Sequence, residues 1–300
     1  MDLSRRRRSL LAASVALIAG VVGFAEIPIG NGAAVPIVAA TAPSATPSFE
    51  IPSAPAASIG HPFGSATPTP VRPSSAPTTA PAAVLVGTTD LTRAGYAAAG
   101  AAYTEVAAEW TQPGPACGQV QQRSVAMWVG MSSRASGNLE EVGTQVDCVG
   151  NSTSRHYAWF QAYPSPAVRL AVAIRAGDRI AARVTRTAST FTFSLTNITL
   201  SAAVSATRTV SGAIVDTVGW MVEARRFTCT TGCAAPPLAP FGTVTFTALA
   251  ATGSGRTGGL AVPGWTTERL TMVGGDGTTK AAPSGIVSGG RSFEVVWRST

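Results

Sequence analysis

Past residue 88 the chain returns again and again to one pattern: short runs of alternating apolar and polar side chains, cut by Gly, Pro, Asn and Asp. Successive strand residues face opposite sides of a sheet, so a period of two marks strands buried on one face. Phe191, Phe193 and Leu195 form such a run, continued by Ile198 and Leu200. Others fall at Val125 to Val129, Val168 to Ile174, Ile180 to Val184, Thr243 to Phe246 and Phe293 to Trp297. Few windows sustain a helical period, strands do not alternate with helices, and no repeat of fixed length emerges. The expected fold is therefore all-β, an antiparallel β-sandwich of two packed sheets, of concanavalin-like or jelly-roll type.

The first 88 residues lack this pattern. Arg5 to Arg8 precede an uncharged apolar run from Leu10 to Ala25, the order of a secretory signal. Residues 1–25 are read as a signal peptide cleaved after Ala25, or as a signal anchor if the run is retained, the one case that would tie the protein to a membrane. Both readings place the protein outside the cell, secreted or at the envelope. Between Ile27 and Gly87 lie 12 of the 21 prolines, with only Glu50 and Arg72 charged. Such a stretch cannot bury a core, so residues 26–88 are expected to be a disordered Pro/Ala/Ser/Thr-rich linker or a propeptide. The folded domain is placed at 89–300.

Several chemistries are excluded on composition. From residue 89 onward 17 basic and 12 acidic side chains leave +5, spread without a Lys/Arg cluster, which argues against nucleic acid. Four cysteines in an exported chain favour disulfides, paired Cys117 with Cys148 and Cys229 with Cys233. The spacing Cys229-Thr-Thr-Gly-Cys233 has no second ligand pair nearby, so no metal is expected, and no cofactor either. His61 and His156 are the only histidines, and His156 beside Tyr157 reads as a surface or packing residue, not a triad base. Gly274 to Lys280 has the wrong spacing for a phosphate loop and reads as a hairpin turn. Asn151-Ser-Thr153 and Asn197-Ile-Thr199 fit the glycosylation pattern.

Carboxylate chemistry remains. Glu140, Glu141, Asp147, Asp178 and Glu223 fall in or beside apolar or aromatic stretches, where burial raises a carboxyl pKa and suits it to acid or base work. Glu223 stands out at the end of Gly219-Trp-Met-Val-Glu223. On these residues alone it is equally a catalyst or an ion-pair partner of Arg225 or Arg226.

Three strings in order, Trp128-Val-Gly130, Leu139-Glu-Glu-Val-Gly-Thr144 and Tyr157-Ala-Trp-Phe-Gln-Ala-Tyr-Pro164, resemble the glutamic peptidases, or eqolisins. The likeness extends through Ala94-Gly-Tyr96, Trp110, Ala176-Gly-Asp178, Trp220-Met-Val-Glu223 and Leu238 to Phe246, covering the region from about 90 to 250. It implies a two-sheet sandwich, a concave face that binds a protein or peptide substrate, and endopeptidase activity at acidic pH by a Glu and a Gln. The Glu would be general base on a water and the Gln amide would hold the oxyanion. Glu223 matches the Glu.

Glu141 stands where the resemblance calls for the Gln, Ser132 where an Asp is common after Trp-Val-Gly, and Gln161 where Ala-Trp-x is followed by Glu. In one reading Glu141 stays protonated beside Glu223 and donates a hydrogen bond as the amide would. In the other the site is inactive and the sandwich binds peptide or carbohydrate on its concave face. Trp128, Ser132, Tyr157, Trp159 and Gln161 are the expected supporting or substrate-binding residues, and Trp220 is assigned to core packing. A monomer is expected.

Overall fold

The computed structural model describes residues 84–118, 123–133, 135–150, 152–225 and 237–300. Its strands are β1 (Val84–Asp90), β2 (Arg93–Ala99), β3 (Tyr103–Thr111), β4 (Ser124–Ser132), β5 (Leu139–Gly150), β6 (Thr153–Ala162), β7 (Val168–Leu170) and β8 (Arg179–Thr187). They continue with β9 (Thr190–Asn197), β10 (Ala202–Thr209), β11 (Thr217–Glu223), β12 (Thr243–Gly253), β13 (Arg256–Gly258), β14 (Thr266–Val273), β15 (Thr279–Pro283) and β16 (Phe293–Trp297). A single 3-10 turn, Ser288–Gly290, is the one helical element among the described residues.

One hydrogen-bonded path runs β10-β9-β8-β3-β12-β16-β15-β14-β2-β11-β4-β5-β6-β7 and folds back on itself, so the β8–β3 side lies over the β11–β4–β5 side. The named strand pairs are antiparallel except β1, which runs parallel to β14. Between the layers sits the main core, and the period-two strands aim one face into it. Phe191, Phe193 and Leu195 of β9 and Ile180, Ala182 and Val184 of β8 are buried while their neighbours face outward. Each such Phe or Leu contributes on the order of 1.5–3 kcal/mol by leaving water. The Phe160 and Phe193 rings meet at 4.9 Å across the layers.

Four expectations change in detail. Ile198 and Leu200 form the turn after β9, and β7 covers only Val168–Leu170 of its expected run. The Asn197 side chain is fully buried, donating Nδ2 to the Ala173 carbonyl at 2.9 Å and to Asp178 Oδ2 at 2.7 Å, so it is no glycan acceptor. Strand β1 opens at Val84, inside the segment that composition assigned to the linker. Residues 1–83, Asn151 and the Cys229 and Cys233 pair lie outside the described residues.

Cys117 and Cys148 form a disulfide that ties the segment after β3 to β5. Gly274 to Thr278 form the β14–β15 turn, closed by the Gly274 amide on the Thr278 carbonyl at 2.7 Å. His156 contacts Gln112 at 3.4 Å and Ser154 at 3.0 Å, and burial holds its imidazole below the usual pKa.

Candidate active site

Strands β4, β5 and β11 are buried on both faces, which a half-buried strand is not. One face meets the main core. The other builds a second cluster from Ala97, Ala126, Trp128, Trp159, Met221 and Leu270, with Leu139 and Tyr157 packed on it. Register decides which side chains share that face. Trp128 lies opposite Gly143 and Met221, Gly130 opposite Glu141 and Gly219, and Glu223 opposite Ala126 and Arg93. On β6, Gln161 lies opposite Glu141, and Trp159 opposite Gly143. Glu141 and Glu223 thus project from the same face, on strands separated by β4.

Trp128 links the two halves of this face. Its Nε1 donates to Glu223 Oε2 at 2.9 Å, holding the carboxylate against the indole edge. Gly130 and Gly219 leave the face open beside the ring: a Cβ added at Gly130 would stand 3.1 Å from both Trp128 Cζ3 and Glu141 Cβ. A cleft of about 270 Å³ forms there, lined also by Thr88, Asp90, Arg93, Ser132 and Leu139. Asp90 forms an ion pair with Arg93 at 3.1 Å. Burial works against the Asp90 charge, but the Thr92 amide and the Arg93 charge outweigh it and hold the carboxyl below its ordinary range.

The two glutamates differ in electrostatics. Burial, then the Glu223 charge, pushes Glu141 well above the carboxylate range, against the pull of Arg225 and Arg93. Burial also raises Glu223, but Arg225, Arg93 and the Trp128 hydrogen bond draw it back. The pair therefore titrates together, and the Trp128 hydrogen bond favours the ionised form of Glu223. Burial, which the apolar surroundings of Glu141 in the sequence implied, is the larger cause there, ahead of the Glu223 charge. Glu141 Oε2 is buried without a hydrogen-bond partner.

The Peptidase A4 family model matches residues 91–295. The chain belongs to the peptidase A4 family. Its fold is similar to scytalido-glutamic peptidase bound to a peptide-based transition state analogue, with a TM-score of 0.59 and 20% identity over 70% of this chain and 99% of that one. SCP-B, an eqolisin-family peptidase in complex with the tripeptide Ala-Ile-His, gives 0.57 and 19% over the same shares. No curated protein sequence matches.

Within this peptidase A4 domain the expected site residues divide. Glu141, Glu223, Trp128 and Trp159 gather on one face, with Ser132 on the cleft wall. Tyr157 lies beside Trp159, donates to Asp147 Oδ2 at 2.9 Å and carries the Arg169 guanidinium 4.0 Å above its ring. Gln161 accepts from Arg225 Nη2 at 3.2 Å and donates to the Ser165 carbonyl at 2.9 Å. Trp220 points the other way, into the main core, and donates to the Ala107 carbonyl at 2.9 Å. Glu140 and Asp178 serve structure: Glu140 accepts from Asn138 at 2.7 Å, and Asp178 accepts the Arg175 amide at 2.7 Å.

Arg225 is the residue that sequence reasoning undervalued. It was weighed only as an ion-pair partner, yet its guanidinium lies 3.9 Å above the Trp159 ring and its charge acts on both glutamates. Among the described residues no group of three His, Cys, Asp or Glu side chains could hold a metal ion.

Proposed function

We propose that the protein is an exported endopeptidase that cleaves peptide bonds at acidic pH through the Glu141 and Glu223 pair. The observation that carries this reading is the placement of a buried Glu141 and a half-buried Glu223 on one face, flanking Trp128, with only Glu223 hydrogen-bonded by the indole. Ionised Glu223 takes the proton of a water as its oxygen attacks the scissile carbonyl carbon. Protonated Glu141 donates to the oxyanion of the tetrahedral intermediate, the work that an amide does in the resemblance drawn above. The proton held by Glu223 then passes to the leaving amine. Export rests on Arg5 to Arg8 followed by the apolar run to Ala25.

This division of labour requires a pH window in which Glu223 is ionised and Glu141 is not, and the unequal upward shifts support one. The test is cleavage of denatured casein by the full chain from about pH 2 to 7, beside Glu223→Gln and Glu141→Gln. Activity at low pH that Glu223→Gln abolishes, with Glu141→Gln extending it to higher pH, supports the reading. A folded protein without activity at any pH would assign the face to binding alone.

A further inference from the structure

Across Trp159 from the cleft lies a second depression, of about 140 Å³, that the peptidase reading does not use. Its rim is the exposed segment Ala167, Val168 and Arg169, and its floor is Gln145 and Trp159, both buried. Two guanidiniums stand at it, each over an aromatic ring: Arg225 Cζ at 3.9 Å from the Trp159 centroid and Arg169 Cζ at 4.0 Å from that of Tyr157. Stacking of this kind fixes a guanidinium while leaving its N–H edge free for an oxyanion.

Three polar atoms of its lining are buried and unpartnered: Arg225 Nη1, Trp159 Nε1 and Gln145 Oε1. Buried donors and acceptors without partners are costly and rare, and three around one depression mark a place where a ligand completes the bonding. Two of them donate, and the charged side chains that line the depression, Arg169 and Arg225, are both cationic; Arg225 also acts on Glu141 and Glu223, and Tyr157 of the lining bonds Asp147. That carboxylate is already engaged by Tyr157 Oη at 2.9 Å and Gln145 Nε2 at 2.6 Å.

We infer that this depression is a specificity subsite for a carboxylate of the substrate, gripped by Arg225 and Arg169 and reached by the Trp159 N–H. The inference rests on the peptidase reading for its location, since Arg225 acts on the subsite and on both glutamates. The carboxylate would therefore lie close to the scissile bond. It comes from an Asp or Glu side chain or from the substrate's own C-terminus, two sources with one chemistry.

The test uses hexapeptides binding to the full chain carrying Glu223→Gln, followed by calorimetry. One set is blocked at both ends with a single Glu moved through the six positions, one has Gln in its place, and one keeps Gln but leaves the C-terminus free. At one position the Glu peptide, or the free C-terminus, is expected to bind about tenfold tighter than the blocked Gln peptide, as one added charge-assisted contact gives. Arg169→Gln, at an exposed site, and Arg225→Gln should each remove most of that preference. Equal binding of all three sets, or a preference that survives both substitutions, overturns the subsite. Cleavage of the same peptides by the unsubstituted chain separates the two readings. Preference in binding without cleavage would leave the subsite and remove the peptidase, and cleavage without preference would do the reverse.

Discussion

Replacing Trp128 by Phe tests the roles of the two glutamates at a single bond. The change keeps an aromatic ring at a fully buried position and removes the Nε1 hydrogen that Glu223 Oε2 accepts at 2.9 Å. A hydrogen bond to a charged group is worth about 1.5–3 kcal/mol when buried. It favours the ionised carboxylate, so its loss raises the Glu223 pKa, and at 1.36 kcal/mol per unit the rise is about one to two units. Glu223 must be ionised to act as base, so the acid limb of kcat/KM moves upward by the same amount. Well below that limb the variant should be slower by about 10- to 100-fold, while the alkaline limb, set by Glu141, stays near its place. The assay is the pH profile of kcat/KM on one peptide, with melting temperature recorded to show that the variant is folded. An acid limb that stays put or moves to lower pH in a folded variant would refute Glu223 as the base held by Trp128.

Other outcomes follow from the same geometry. Because the folded-state pKa of Glu141 is raised, its stability contribution is complete below the unfolded value near 4.5 and is lost as pH rises through the folded value. The full chain should therefore melt higher at about pH 4 than at pH 7, and Glu141→Gln should flatten that slope; a melting temperature rising with pH in this range and unaffected by the substitution would contradict it. Replacing Cys117 and Cys148 by Ser opens a loop spanning a separation of 31 residues and should cost about 3–4 kcal/mol in urea unfolding. Phe193→Ala removes a fully buried ring at 4.9 Å from Phe160 and should cost about 3–5 kcal/mol by the same measurement, with the pH profile retained.

The legible parts of this fold are those where one face meets water. Strands β8 and β9 write their burial as an alternation, and the sandwich follows from it. Parity also separates Trp220 from Glu223: three positions apart on one strand, they face opposite layers. Strands β4 and β11 carry large side chains on both faces, so their sequence says that they are central without saying which face holds the site. Arg225 was missed because its meaning lies in Trp159, which no local spacing connects to it. Strand β1 was missed because Val84-Leu-Val-Gly-Thr-Thr-Asp90 is short and only half apolar, and its pairing with Thr266 to Met272 is parallel and remote.

That strand sets a boundary for anyone shortening the chain. Thr88 hydroxyl donates to Glu268 at 2.9 Å, and Thr88, Thr89 and Asp90 form one side of the cleft, while the family match begins only at residue 91. A start chosen at that match would discard the whole ladder to β14, expose the edge of β14 to pairing with other chains, and leave Arg93 without its Asp90 partner. Any cut that preserves the domain, whether made by a protease or by an experimenter, has to fall before Val84.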